Sequence, residues 1–283
     1  MRVGRCFTFY RPYDCTLVRC GPSGHSRTPD VAGPRYFRTD GIVLRRVDVG
    51  EADAIVTLLT PFHGKLRALA RGARRPGSRG GGHLDLFTHV TVQVARGRNL
   101  DKISQADTLA AHAGLRTDLL RYSVACAIGE TADRFSQEAH EDHELYDSVV
   151  RTLGAVADGG DPELEMVAFG LRLLDHSGYR PHLAACGRCG DELTRVDSFH
   201  SPAHGGVICP RCGPVVPGAR PLSANALAML RLLQSDDLAT ARRVRRDAEL
   251  RREVEAFVRA QTAHVLERDL ASLAFLQRVR QLS

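Results

Sequence analysis

The 283-residue chain contains no tryptophan, three methionines and, among 39 basic residues, only two lysines, Lys65 and Lys102. Aromatics make up 6% of it. No apolar run approaches the roughly 20 residues that cross a bilayer, and the N-terminus has no apolar signal-peptide core. A cytoplasmic protein without a membrane partner is therefore expected. Catalytic frames are missing as well. Gly80-Gly81-Gly82 lacks the Gly-Lys-Ser/Thr continuation of a phosphate-binding loop, and there is no Gly-x-Ser-x-Gly elbow. His140-Glu-Asp-His143-Glu144 falls one residue short of the spacing that sets two imidazoles on one helix face, and reads as a solvated loop. These absences favour a binding protein over an enzyme.

What is present fits a globular protein of one large or two ordinary domains, with 43% hydrophobic and 25% charged residues. The formal charge of +6 is unevenly spread: residues 1–35 carry +4, residues 36–102 carry +6, and the remainder −4. An anionic partner such as nucleic acid should meet the N-terminal third. The excess of Arg over Lys has two readings, a GC-rich coding bias or selection for side chains that fork onto phosphate.

Residues 1–35 mix Arg, Pro, Gly and Ser without period, through Cys6, Cys15 and Cys20. They read as a disordered basic extension, either a nucleic-acid tail or a dispensable segment from a misassigned translation start. From Tyr36 to residue 110 the pattern is of short strands. One begins at Ile42-Val43-Leu44; Ala54 to Thr60, Lys65 to Arg71, His89 to Ala95 and Leu100 to Ala106 supply four more. Pro61-Phe62-His63-Gly64 is a tight link that makes the second and third a hairpin. Five strands in so short a span suggest a closed barrel of the OB type.

Residues 111–283 have helical periodicity. Leu115, Leu119, Tyr122, Cys126 and Phe135 define one stripe, Leu145, Val149, Leu153 and Val156 the next, and Leu164, Val167, Leu171 and Leu174 a third, entered at Pro162 and ended at Gly178. Ser223 is placed to cap a helix bearing Leu227, Leu230 and Leu233, and a last long helix should run from Val254 to Val279. The predicted class is α+β: an N-terminal five-stranded OB-fold barrel, then an all-α domain interrupted at about 181–221 by a four-cysteine zinc-ribbon insert.

That interruption holds Cys186-Gly-Arg-Cys189 and Cys209-Pro-Arg-Cys212. Two Cys-x2-Cys knuckles at this separation fit one tetrahedral zinc, and four thiolates leave no open coordination position, so the ion should be structural. A redox pair or disulfides are the alternatives, which a cytoplasmic setting disfavours. Arg188, Arg195 and Arg211 would offset the charge of the tetrathiolate.

The other strong feature is cationic. Lys65, Arg67 and Arg71 alternate with Leu66, Ala68 and Ala70, so the cations share one face of a strand. Arg74, Arg75 and Arg79 follow in a glycine-rich loop, with no acid in between. Such a patch neutralises backbone phosphates without reading sequence; the bland alternative is a solvated charged face. Only Tyr36, Phe37, Phe62 and Phe87 are available for stacking, and some of these must fill the core. Charge-dominated binding that also accepts duplex is expected.

Gly41-Ile-Val-Leu-Arg-Arg46, Gly50-Glu-Ala-Asp53, Ile55-Val-Thr-Leu-Leu-Thr-Pro61, His63-Gly-Lys-Leu-Arg67, Ala70-Arg-Gly-Ala-Arg-Arg75 and Gly97-Arg-Asn-Leu-Asp101 occur in order. Gly178-Tyr-Arg-Pro181 then leads into the first knuckle and Gly205-Gly-Val-Ile-Cys209 into the second. Together they resemble the RecO family of DNA repair proteins, most nearly its actinobacterial, zinc-containing members. The resemblance implies a non-enzymatic recombination mediator that binds single- and double-stranded DNA and anneals complementary strands. With RecR it would help RecA load onto single strands covered by single-strand-binding protein (SSB). It adds Arg45 and Arg46 to Lys65, Arg67, Arg71, Arg74, Arg75 and Arg79 as DNA contacts, and gives Cys186, Cys189, Cys209 and Cys212 as ligands of one structural Zn2+. It also implies docking of the SSB C-terminal tail, which needs a basic and apolar pocket in the acidic helical domain. The run Arg242, Arg243, Arg245 and Arg246 is one candidate, a solvated helix face the other reading. A zinc-ribbon enzyme or a zinc-ribbon transcription or translation factor are the rival classes.

Overall fold

The computed structural model describes residues 35–75, 82–267 and 270–282. Five strands, β1 (Tyr36–Val49), β2 (Asp53–Thr60), β3 (Gly64–Ala70), β4 (His89–Ala95) and β5 (Asp101–Ala110), close a barrel in the order β1-β2-β3-β5-β4. Alternation along them sends Val43, Val56, Leu58, Leu66, Val90, Val92 and Val94 inward. The β3–β5 pair is parallel, with Leu69 beside Lys102; the other pairs are antiparallel. β1 begins at Tyr36, six residues before its apolar run, because its first half pairs with β4 and its second with β2. An irregularity between Val43 and Arg45 lets it pass from one neighbour to the other.

Seven helices follow in the described residues: α1 (Leu119–Phe135), α2 (His143–Ala157), α3 (Pro162–His176), α4 (Ala224–Gln234), α5 (Leu238–Arg243), α6 (Ala248–Leu266) and α7 (Ala271–Leu282). Side chains of Asp118, Asp142, Asp161 and Ser223 accept N–H groups at the starts of α1 to α4, satisfying donors that have no partner inside a helix. The stripes expected on α2, α3 and α4 are buried as read. On α1 the stripe differs: Leu119 is exposed, and Val124, Ala125, Ala127, Ile128 and Ala132 are buried instead. Small residues let this helix be approached from several sides, which blurs its periodicity.

The last helix is two. Glu267, with φ 56, ends α6 by donating its N–H to Ala263 and His264 carbonyls, and α7 starts anew with the Glu130 carboxylate accepting N–H groups of Ala271 and Ser272. The His140–Glu144 segment is only partly a loop. Asp142 caps α2, while His143 and Glu144 form its first turn.

Two cores meet at α3. Its Met166, Phe169 and Leu173 join α1, α2, α7 and the barrel residues Ile42, Leu44, Leu59 and Phe87. Its Leu164, Val167 and Leu171 join α4, α6 and the segment between α3 and α4. That segment carries a three-stranded sheet of β6 (Ser198–Ser201), β7 (Gly206–Ile208) and β8 (Arg220–Leu222) in the order β7-β6-β8. At the barrel–helix junction, Gly64 has φ +57, and a Cβ there would lie 2.2 Å from the His140 carbonyl oxygen. Only glycine fits that approach.

Candidate nucleic-acid interface and metal centre

The outer faces of β1, β2 and β3 form one surface. Arg45 lies opposite Thr57 and Thr57 opposite Arg67; along the strands, Val47 lies opposite Ile55 and Ile55 opposite Leu69, which adjoins Lys102 of β5. Arg45, Val47, Arg67 and Lys102 are exposed, and Ile55 and Leu69 half-buried. Arg71 and Arg75 are exposed just beyond β3, where the turn is fixed by the Gly72 N–H on Asp53 and the Arg74 N–H on the Ala52 carbonyl. The result is an aliphatic strip edged by guanidinium and ammonium groups, a surface that can grip phosphates while offering a nonpolar floor.

The cations expected from sequence divide in two. Arg45, Arg67, Arg71 and Arg75 make no ion pair among the described residues. Arg46, with a side chain 20% exposed, pairs with Asp85 at 2.9 Å and Asp48 at 3.4 Å. Lys65, equally screened, pairs with Asp133 of α1 at 3.0 Å. Arg74 reaches Asp48 at 3.5 Å. Arg79 lies outside the described residues. Lys102, Arg96 and Arg98 were not singled out from the sequence. Nothing local marks Lys102, because the parallel β3–β5 pairing brings it to the surface, whereas Arg96 and Arg98 are legible as cations of the β4–β5 turn.

Of the aromatics, Phe87 is core. Phe37 packs against the barrel interior under Arg96, whose guanidinium lies 4.7 Å from the ring centroid, and beside His63. Burial, and then Arg96, hold the His63 imidazole below its ordinary range. Phe62 meets His143 edge-on across the junction. Tyr36 is 60% exposed.

The four knuckle cysteines converge, with all sulfurs within 4.8 Å of one another. Cys189 Sγ and Cys209 Sγ are 3.8 Å apart, matching the roughly 3.8 Å edge of a tetrahedron whose metal–sulfur bonds are about 2.3 Å, as for zinc. Gly213 is required here, since a Cβ would lie 2.0 Å from the Phe199 ring. Burial opposes ionisation of Cys186, but backbone N–H groups of Cys189, Cys209 and Arg188 outweigh it and hold the thiol at about 6. A second thiolate beside the first is disfavoured by like charge, which a bound dication relieves. Arg211 approaches Cys189 Sγ at 3.7 Å while pairing with Asp191. Cys186, Cys209 and Cys212 also belong to the core formed with α3, α4 and α6. These residues can hold one closed metal centre.

In the helical region Arg242 and Arg246 are not a plain solvated face. Arg242 holds the buried Glu165 at 2.6 Å and Arg246 holds Asp161 at 2.9 Å, both on α3 or its cap; Arg243 and Arg245 are exposed. Arg246 also lines a groove of about 850 Å³ with Arg251, Arg252, Arg259 and Arg280, in which Glu163 and Glu255 are the acids. Leu164, Val167, Met229, Leu250 and Val254 line an apolar recess that shares Arg246 and Arg251 with it. No sequence signal joined these arginines, because they come from α6, α7 and the turn before α6. On the far side of α3, His176 bridges Asp142 and Glu144, each at 2.8 Å. Burial opposes its charge, but those carboxylates outweigh it and keep its pKa above the ordinary value. No helix among the described residues is long and apolar enough to cross a membrane.

Two family models match the chain: Recombination protein O N terminal over residues 35–112 and Recombination protein O C terminal over residues 116–274. Curated proteins named DNA repair protein RecO are similar over nearly the same span. That of Roseiflexus sp. (strain RS-1) is 43% identical over 248 residues, covering 88% of this chain and 87% of the relative. That of Streptomyces griseus is 41% identical over 251 residues (86% and 99%), and that of Dehalococcoides mccartyi (strain BAV1) 34% identical over 247 (87% and 97%).

Proposed function

The chain belongs to the RecO family of DNA repair proteins, and from that premise we propose that it is a non-enzymatic recombination mediator. It binds single- and double-stranded DNA on the barrel, anneals complementary strands, and with RecR helps load RecA onto SSB-coated single strands. The observation that carries the reading is the outer face of β1, β2 and β3, where Arg45, Arg67 and Arg71 border Val47, Ile55 and Leu69.

Annealing requires two polyanions to approach, and arginine forks lower their repulsion without claiming base edges. Arg45, Arg67, Arg71, Arg75 and Lys102 make the phosphate contacts. Arg46, Lys65 and Arg74 are held by carboxylates and contribute mainly to the local field and the fold; Arg79, outside the described residues, is kept as a further DNA contact. The four cysteines hold one structural zinc that locks the insert onto α4 and α6. The acidic SSB tail docks in the groove lined by Arg252 and Arg259. This protein works in the cytoplasm at the nucleoid.

The test is annealing of complementary oligonucleotides coated with SSB, in the absence of nucleotide. Acceleration that fades with salt is expected. Failure to bind DNA, preference for RNA in competition, or cleavage or nucleotide hydrolysis that copurifies with the chain would overturn the reading. Capture of RecR and of an SSB-tail peptide, the latter lost on Arg252→Glu with Arg259→Glu, tests the partners.

A further inference from the structure

The chain is poor in aromatics, and most of those on the barrel are occupied. Tyr36 differs. It starts β1 on the outer side, pairs with Ala95 of β4, and Ala95 pairs with Lys102 of β5, which adjoins Leu69. These residues form one row across neighbouring strands. Steps of about 4.8 Å put Tyr36 about 14 Å along the barrel surface from Leu69, at the β4–β5 end of the aliphatic strip. Arg38 is exposed two residues further along β1, and Arg35, Arg96 and Arg98 are exposed beside the start of β1 and the end of β4, with the Arg96 guanidinium over the Phe37 ring. The nearby acids are Asp40, which accepts from Thr91, and Asp101, which faces Arg96 at 3.8 Å and accepts the Gly97 N–H. The ring itself is 60% exposed with no ring contact among the described residues.

We propose that Tyr36 is a base-stacking residue that extends the barrel surface into a contact selective for single-stranded DNA. The inference rests on the DNA-binding reading above and deepens it. Cations alone grip the backbone of single strands and duplex alike, whereas a tyrosine face is available only to a base that is not already stacked and paired. Lys102, across Ala95 from the ring, holds the phosphate beside that base. A strand lying from Leu69 past Lys102 to Tyr36 thus has its backbone neutralised throughout and one base clamped at the end. Duplex engages the cations only.

The absence of tryptophan supplies the probe. In the full-length chain, Tyr36→Trp introduces a single indole whose emission should be quenched by an oligothymidylate and left unchanged by a hairpin duplex. Tyr36→Ala should weaken oligothymidylate binding by roughly 5- to 150-fold, leave duplex binding within about twofold, and Tyr36→Phe should restore the wild-type value. Indole emission unmoved by saturating single strand, or equal losses for single strand and duplex, would overturn the stacking role. So would wild-type single-strand affinity in Tyr36→Ala. Failure of the parent chain to bind any DNA would instead overturn the function it rests on, and shows before any variant is made.

Discussion

Replacing Arg67 and Arg71 with Ala, and separately Arg46 and Lys65 with Ala, removes two cations each time but should do different things. The exposed set Arg45, Arg67, Arg71, Arg75 and Lys102 makes about five phosphate contacts, giving a slope of log affinity against log salt near −3.5 for single strands at about −0.7 per contact. Raising salt from about 50 to 200 mM then weakens the parent roughly 130-fold. The Arg67→Ala, Arg71→Ala variant keeps three contacts, a slope near −2.1, and loses only about 20-fold over the same range. Arg46→Ala, Lys65→Ala should keep a slope near −3.5, because those two charges already face Asp85, Asp48 and Asp133. Its cost falls on the fold, at about 0–1 kcal/mol for each partly exposed pair. Fluorescence anisotropy of a labelled oligothymidylate at four salt concentrations measures both slopes, and a melting curve measures the stability. Equal slopes for the two variants would refute the division of the patch into free and engaged cations.

Three more outcomes are expected. Elemental analysis should find one zinc per chain, and chelation should lower the melting temperature by more than about 6 °C, the shift for roughly 3 kcal/mol in a chain of this size, since three of the cysteines are core residues; an unchanged melt would remove the structural role. Gly64→Ala should cost more than about 2 kcal/mol, while Gly50→Ala, at a similar φ of +58 but with nothing within 4 Å, should cost only the backbone strain of about 1 kcal/mol; equal costs in denaturant titration would deny the tight contact with the His140 carbonyl. His176 has a raised pKa in the fold, so its contribution is complete below its unfolded value near 6.5 and fades as pH rises through the folded value. The melting difference between the parent and His176→Asn should therefore shrink from about pH 6 to pH 8.5, and a difference that grows would reverse the assignment.

Much of this was legible from residues alone because the signals were local. Val90, Val92 and Val94 alternate within one strand, Ser223 caps the helix it precedes, and each cysteine knuckle is a four-residue motif. What escaped depended on distant partners. Lys102 reaches the cationic face through a parallel pairing with β3, Lys65 leaves it through Asp133 on α1, and the break after Leu266 is set by Glu130, far back in the chain. Charge type is written in the sequence, but whether a charge is spoken for depends on tertiary contacts.

Helix α3 has a consequence of its own. From Leu164 to Leu171 every residue is buried, and alternate faces serve the barrel-side core and the metal-side core. Each residue of an α-helix turns the chain by about 100°. Deleting a single residue near its middle would therefore swing the remainder of the helix out of phase with both cores at once. The two halves of the protein are geared together through this helix, and a change in its length disturbs both where a change of one side chain disturbs its own neighbours.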